Sequence, residues 1–353
     1  PRDVLASCDV SVAFLQAEDY APSERPRFAR YRLSRQQPYS YFQLRGPLYG
    51  QRSAPKRWHD TVVAWLLGQG FEVGSNDPCV FRRPGDKLVV LLYVDDLLVR
   101  GEKSVLDAFF ALLLGRFKCS APDYLSPDNS LDFIGFEISE SVTEGGVREW
   151  HLTQDHAVID MLAGFGPGQL QVKSSPMPTK SLLLSDHTPL SAVRAATYKS
   201  LVGKLNYLSR TTRYDIAFPV SRLSRYMAAP TAGAWKSLMH VLGYLRGTKG
   251  FSIVYRPGCG LAELQCFVDS DHAANRALDS RSQSAVLVLF NYAPVAWLSR
   301  RQPVTAVSPA EAEVYALREA VTVGRLTQFV AEELGVKAVW PLRVFSDSMQ
   351  SVS

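Results

Sequence analysis

Cysteine is scarce and poorly spaced for structural work. The five residues Cys8, Cys79, Cys119, Cys259 and Cys266 are scattered, odd in number and without a C-x-x-C pair. This pattern argues against a disulfide framework and a cysteine zinc site, and it favours a reducing compartment. Long apolar runs are missing as well: the longest fall far short of the roughly 18 to 20 residues that span a bilayer, and the first residues lack the apolar centre of a signal peptide. No signal peptide, transmembrane segment or membrane partner is expected. None of the six histidines falls in a ligand-spaced cluster; His151 and His156 flank an expected helix start and read as structural or solvated. Internal repeats, heptads and low-complexity tracts are absent too. The chain opens on Pro1 and stops at Ser353 just after a strand-like run, so both ends read as cut from something longer.

What is there is a core. The 353 residues are 46% hydrophobic, enough for two or three domains. A net charge of +5, dispersed along the chain, permits a polyanionic partner without demanding one, and a mildly basic soluble enzyme fits equally well. Residues 4–15 alternate as a strand, with Cys8, Val10 and Val12 on one face and Ser7, Asp9 and Ser11 on the other. Residues 16–43, rich in Arg, Pro and Ser, predict an irregular excursion or a peripheral hairpin. A helix is expected from Ser53-Ala54-Pro55 along Trp58, Val62, Trp65 and Leu66 to Gly68 and Gly70. Two hairpins follow, turning at Pro84–Lys87 and at Asp95-Asp96, then a helix through Val105, Leu106, Phe109, Leu112 and Leu113. A Ser, Pro and Thr-rich linker spans about 174–195, ahead of helical stripes at Tyr198–Leu208 and Trp235–Leu245. Strands are expected at 264–270, 284–290, 293–299 and 342–346, with a long helix from Pro309 to Leu334. The class is mixed α/β (α+β).

Tyr93-Val94-Asp95-Asp96 interrupts this core with two adjacent carboxylates between the apolar runs 88–92 and 97–99. An unpaired buried carboxylate costs several kcal/mol, so the segment calls for a positive partner. A divalent metal such as magnesium, which prefers hard oxygen ligands, supplies one; an ordinary Asp-Asp turn is the plain alternative. Asp9 also sits in a strand context, and a central sheet could bring it to the pair. Three carboxylates around two metals, about 3.5 to 4 Å apart, is the arrangement nucleotidyl transfer requires.

Four segments in one order carry a resemblance. Asp9–Leu15 is similar to the first catalytic motif of the reverse transcriptases of copia-type long-terminal-repeat retrotransposons, and Leu48–Trp58 to their L-Y-G-x-K-x-A-P-R-x-W segment. Asp77–Phe81 and Tyr93–Asp96 resemble their D-P-x-x-F and Y-V-D-D pair. Further on, Phe133-Ile134-Gly135 resembles the F-L-G primer grip, while Tyr198–Gly203 and Arg213–Ala217 resemble the region joining polymerase to nuclease. The resemblance implies that Asp9, Asp95 and Asp96 are the polymerase metal ligands. It also implies that Phe14 is the aromatic gate beside the sugar, for which the chain must turn after Asp9; core packing is the alternative. Tyr49, Gly50 and Arg52 would meet the substrate, and Arg52, Lys56 and Arg57 could reach phosphates, although Lys56 and Arg57 could equally form a solvated helix face. The family more often has Lys where Arg52 stands and Gln where Ser53 stands.

The second half repeats the acidic theme. Phe267–Asp271 and Val344–Ser348 end strands and Glu311 and Glu313 open a helix, a set that resembles the ribonuclease H fold. Glu313 shares a helical face with Leu317, Ala320 and Val321 and is assigned as the ligand beside Asp269 and Asp347, with Asp271 as the alternative to Asp269; Glu311 should be more exposed. Ala296–Gln302 and Ala310–Glu313 are similar to the family's I-S-W-x-S-K-K-Q and T-E-A-E-Y segments, while His272 stands where the family usually has Trp.

The resemblance implies a right-hand polymerase palm with parts of fingers and thumb at 1–175, N-terminally truncated. A linker and helical connection would follow at 176–258, and a C-terminally truncated ribonuclease H-like mixed sheet at 259–353. It implies RNA-directed DNA synthesis and cleavage of RNA in RNA/DNA hybrids, with two Mg2+ per active site and Mn2+ as the alternative ion. Expected partners are an RNA template, a DNA primer, the RNA/DNA hybrid and deoxynucleoside triphosphates, with protease and integrase parts of the same polyprotein serving DNA integration. Cytoplasmic virus-like particles are the expected location, with nuclear entry. Two other readings stand beside it: a catalytically silent relic that binds nucleic acid, and an unrelated two-metal phosphotransferase, which leaves the second acidic set unexplained. Oligomeric state is not legible.

Overall fold

Alternation of small and apolar side chains makes β1 (Asp3–Asp9) a strand, with Ala6 and Cys8 buried on one face and Asp9 exposed at its end. In the computed structural model, which describes residues 3–166, 168–178, 186–257, 263–272, 280–336 and 342–347, the strand stops there. The expectation of a strand through residue 15 is corrected: Val12 takes φ 49°, and a 3-10 helix follows at Ala13–Gln16. Val12 is accordingly exposed rather than on the buried face with Cys8 and Val10.

Two compact units divide the chain, Pro1–Ile134 and Gly135–Ser353. In the first, the excursion forms a hairpin of β2 (Arg27–Tyr31) and β3 (Ser40–Leu44). Helix α1 (Ala54–Gly68) carries Pro55 in its first turn and buries Trp58, Val62 and Leu66 at helical spacing. Strands β4 (Glu72–Val73), β5 (Val80–Arg83), β6 (Leu88–Tyr93) and β7 (Asp96–Glu102) lead to α2 (Lys103–Arg116), β8 (Asp123–Tyr124) and β9 (Leu131–Phe133). The antiparallel sheet runs β4-β5-β6-β7-β1-β8. Trp58, Trp65, Phe71, Phe109 and Phe117 interlock beside it. On α2, Leu106, Phe109 and Leu113 are buried as their spacing predicts, whereas Leu112 faces out.

In the second unit β10 (Phe136–Val142) and β11 (Arg148–Thr153) pair antiparallel; His151 lies in β11 and His156 in α3 (Asp155–Ala163). Helices α4 (Ala192–Thr211), α5 (Ala217–Ser224) and α6 (Ala232–Gly247) bury Tyr198, Leu201, Leu205, Leu238 and Leu242 in one core. Strand β12 (Ile253–Tyr255) then pairs with β11. Part of the expected linker, 179–185, and Cys259 lie outside the described residues. Strands β13 (Leu264–Asp271), β14 (Gln283–Phe290) and β15 (Ala293–Arg301), helix α7 (Pro309–Glu333) and strand β16 (Arg343–Ser346) complete the unit. Their sheet runs β15-β14-β13-β16 and is mixed, because only β13 and β16 pair in parallel. Helix α7 turns an alanine stripe, Ala312, Ala316 and Ala320, toward Cys266 and Val268, close enough that the Cys266 thiol lies 3.6 Å from the Ala320 carbonyl.

Candidate catalytic carboxylate sites

The first acidic set is placed by strand register. Asp9 ends β1 opposite Asp96, the first residue of β7, and the pairing of Tyr93 with Asp96 leaves Val94 and Asp95 as a two-residue turn. Cross-strand partners in such a ladder share a face, so Asp9 and Asp96 project together. Val94 has φ 57°, a costly conformation for a β-branched residue. Two contacts hold it: the Trp58 indole donates to the Val94 carbonyl, and the Val10 amide donates to the Asp95 carbonyl at 2.8 Å.

Burial raises the Asp96 carboxyl above its ordinary value, and the charges of Asp95 and Asp9 push the same way. Among the described residues no lysine or arginine forms an ion pair with any of the three. Carboxylate oxygens that feel one another's charge with no side-chain cation beside them are the donor chemistry of a hard divalent cation, so the residue types present fit magnesium, although the three do not gather within the 4.8 Å of the second set.

Residues that no periodicity singles out position this set. Ser120 Oγ accepts from the Asp9 amide at 3.0 Å, and the Ser120 amide donates to the Asp9 carbonyl at 2.8 Å. Gln16 closes the turn after Asp9: its Nε2 donates to Ser11 O and Lys118 O at 2.7 and 2.9 Å, and its Oε1 accepts from Lys118 N at 2.6 Å. The missed signal is a lone glutamine just past the motif, whose partner lies about a hundred residues on and leaves no local trace.

Phe14, carried by the 3-10 turn, packs its ring 4.7 Å from the ring of Tyr49. Gly50 takes φ +88°, and Tyr49 and Arg52 are exposed. Arg57 is tied to Glu24 and stacks on Tyr20, while Lys56 pairs with Asp60 one helical turn on, at 3.0 Å.

The second set is tighter. Ligand oxygens of Asp269, Glu313 and Asp347 all lie within 4.8 Å of one another, and among the described residues no other trio of acidic, histidine or cysteine ligands comes so close. Register is again the cause: Val268 pairs with Ser346 in the parallel ladder, so the next residues, Asp269 within β13 and Asp347 just past β16, stand side by side. Glu313 enters from α7. Ser308 and Glu311 form a reciprocal cap there, Ser308 Oγ accepting from Glu311 N at 3.2 Å and Glu311 Oε2 from Val307 N at 2.7 Å. That cap uses Glu311 and turns Glu313 inward, to 9% exposure.

The expected companions of Glu313 are partly corrected. The buried face is Ala312, Glu313, Ala316, Ala320 and Gly324, whereas Val321 is exposed. Asp271 ends β13 outside the trio. Glu313 Oε2 is buried without a hydrogen-bond partner, and burial raises its carboxyl above the ordinary value, opposed by the neighbouring Ser270 and reinforced by the charges of Asp269 and Asp347. An orphaned buried oxygen beside two further carboxylates fits a cation here as well.

Arg213 and Asp215 turn out to be structural. The guanidinium, 2% exposed, grips Asp215 through Nε and Nη2 at 3.0 and 2.7 Å and donates to Thr248 Oγ1 at 2.7 Å. Among the described residues no helix is long and apolar enough to cross a membrane.

No family model matches the chain. It is 29% identical to the retrovirus-related Pol polyprotein from transposon RE2 of Arabidopsis thaliana, over 97% of this chain and 23% of that protein. Against the corresponding polyprotein from transposon RE1 of the same plant, identity is 30% over 97% of this chain and 22% of that protein. A putative transposon Ty5-1 protein of Saccharomyces cerevisiae is 29% identical over 89% of this chain and 99% of its own length. The chain thus spans under a quarter of the two Arabidopsis relatives, while the similarity covers 97% of the chain. It belongs to the family of retrovirus-related Pol polyproteins of copia-type transposons.

Proposed function

We propose that this chain is the part of such a polyprotein that copies RNA into DNA and removes the RNA strand of the resulting hybrid. The observation that carries the reading is the Asp269, Glu313 and Asp347 cluster in one compact unit and the cross-strand pairing of Asp9 with Asp96, next to Asp95, in the other, each without a compensating side-chain cation among the described residues. In the first unit Asp9, Asp95 and Asp96 hold magnesium at the primer terminus, and Phe14 lies against the sugar of the incoming nucleotide. Tyr49, Gly50 and Arg52 border that nucleotide. In the second, Asp269, Glu313 and Asp347 hold magnesium at the scissile phosphate of the RNA strand.

When bound, the divalent ions, magnesium or manganese, lower the pKa of the attacking hydroxyl or water and offset the charge of the leaving oxygen. The protein's own share is positional. Gln16 and Ser120 hold the backbone on either side of Asp9, the β6–β7 turn presents Asp95, and the α7 cap aims Glu313. Fingers, palm and thumb parts are assigned to 1–175, the connection to 176–258 and the nuclease to 259–353. The substrates are an RNA template, a DNA primer, deoxynucleoside triphosphates and the RNA/DNA hybrid. Protease and integrase parts of the same polyprotein act alongside, in cytoplasmic particles whose product enters the nucleus for integration. A silent relic has no structural observation in its favour.

The two sites are separable by mutation. Asp95→Asn removes a ligand charge at constant shape and is expected to abolish primer extension on an RNA template while sparing hybrid cleavage; Glu313→Gln does the reverse. Primer extension by Asp95→Asn within about tenfold of the parent, about 1.4 kcal/mol of barrier, would overturn the polymerase assignment.

A further inference from the structure

The β2–β3 hairpin has a composition unlike the rest of the chain. Residues 25–47 hold six arginines and five aromatics with no aspartate or glutamate. The two strands pair only with each other, so the hairpin buries no core of its own. Its base is anchored: Tyr20 N donates to Arg45 O at 2.7 Å, Arg27 Nη1 donates to Ser53 Oγ at 3.1 Å, and the Arg27 guanidinium lies over the Tyr20 ring. The rest stands in solvent.

Register sorts its side chains. Phe28 pairs with Gln43 and Arg30 with Tyr41, so these four share one face, and the same alternation continues to Arg32 and Tyr39. Arg30 and Arg32 hold their guanidinium carbons 4.8 and 4.7 Å from the centre of the Tyr39 ring. Phe28 and Tyr41 are 64% and 69% exposed. Among the described residues, Arg30, Arg32 and Arg35 form no ion pair with a carboxylate. Large exposed rings on an isolated ribbon are a liability unless something covers them.

We infer that this face binds single-stranded nucleic acid, unpaired bases stacking on Phe28 and Tyr41 while Arg30, Arg32 and Arg35 meet the phosphates. The charge selects the partner: unpaired arginines without any acidic residue between them suit a polyanion, and alternation of rings with cations suits a strand whose bases are free to stack. Sequence preference is not expected, because every base offers a π face. The inference goes beyond the carboxylate chemistry and stands whether or not the chain polymerises.

The test measures fluorescence anisotropy of labelled dodecamers of uridine and of thymidine, and of a duplex of matched length, with the full chain and three variants. Phe28→Ala with Tyr41→Ala is expected to weaken both single strands about tenfold or more and the duplex little. Arg30→Gln with Arg32→Gln should lower the slope of log affinity against log salt by about 1.4. Tyr41→Phe keeps the ring and should keep the affinity. Photocrosslinking with 5-bromouridine RNA is expected to label the peptide holding Tyr39 and Tyr41. Unchanged affinity in the Ala pair with crosslinks only elsewhere overturns the inference. So does equal weakening of single strands and duplex, which would mean charge alone. A parent that is dimeric and an Ala pair that is monomeric in sedimentation would make the face a contact between copies and also overturn it. Binding is measured without magnesium, primer or nucleotide, so this outcome is read apart from any failure of the polymerase reading.

Discussion

Asp9 is only as useful as the backbone that carries it, and that backbone is held from two directions. Gln16 ties the turn after it to Lys118, and Ser120 brackets its own amide and carbonyl. Gln16→Ala removes three hydrogen bonds and is expected to cost about 1 to 3 kcal/mol in denaturant unfolding. Primer extension should fall about tenfold further than the lost folded fraction explains, measured at a temperature where the variant is folded; activity in step with stability would make Gln16 merely structural. Phe14 can be judged separately. Its ring rests against Tyr49 and partly against the core, so Phe14→Val should raise ribonucleotide relative to deoxynucleotide incorporation about tenfold in single-nucleotide extension. An unchanged ratio would return the ring to simple packing.

Elements approach one another as closely as their smallest side chains allow. A Cβ placed on Gly243 of α6 would lie 2.1 Å from the backbone oxygen of Gln171, whereas one on Gly203 of α4 meets nothing within 4 Å. The segment at Gln171 is bound to α6 by Lys173 N donating to Gly243 O at 3.2 Å and Arg246 Nη1 to Leu170 O at 3.1 Å, so it cannot simply step aside. Gly243→Ala is therefore expected to destabilise by about 1 to 3 kcal/mol. Gly203→Ala, a helix interior with open space, should stabilise by up to about 1 kcal/mol. Chemical denaturation of the two variants against the parent decides the sign of each. Opposite effects from one substitution type are not legible in the sequence, where both glycines sit in similar helical stripes.

At the scale of the whole molecule, each unit contains a concentration of like charge that folding alone leaves uncompensated. Glu313 is the more deeply buried member, with Asp269 and Asp347 beside it. A cation that binds the folded state alone adds about 2.7 kcal/mol at a hundredfold excess over its dissociation constant. Millimolar magnesium at neutral pH is accordingly expected to raise the melting transition of the parent chain. Glu313→Gln relieves the repulsion, so this variant should melt higher than the parent without metal and respond less to magnesium. Equal magnesium shifts in calorimetry for the two would show that the trio is not the site of binding.

The sequence by itself determined the elements and the identity of the acidic residues. Apolar periodicity marks α1, the hairpin strands and the β13–β15 meander, and carboxylates inside apolar runs stand out because burying them is costly. It also separated Glu313 from Glu311, since two positions along a helix, about 200° of rotation, place them on different faces. Tertiary structure decided what depends on partners distant along the chain. Strand β1 gives way to a left-handed turn at Val12 that Gln16 ties to Lys118, which no local alternation foretells. Asp269 and Asp347 meet because parallel register aligns residues nearly eighty positions apart, and Val94 holds a left-handed turn because Trp58 grips its carbonyl. A propensity is carried by each residue alone, whereas a register or a shared hydrogen bond exists only once two distant segments have packed.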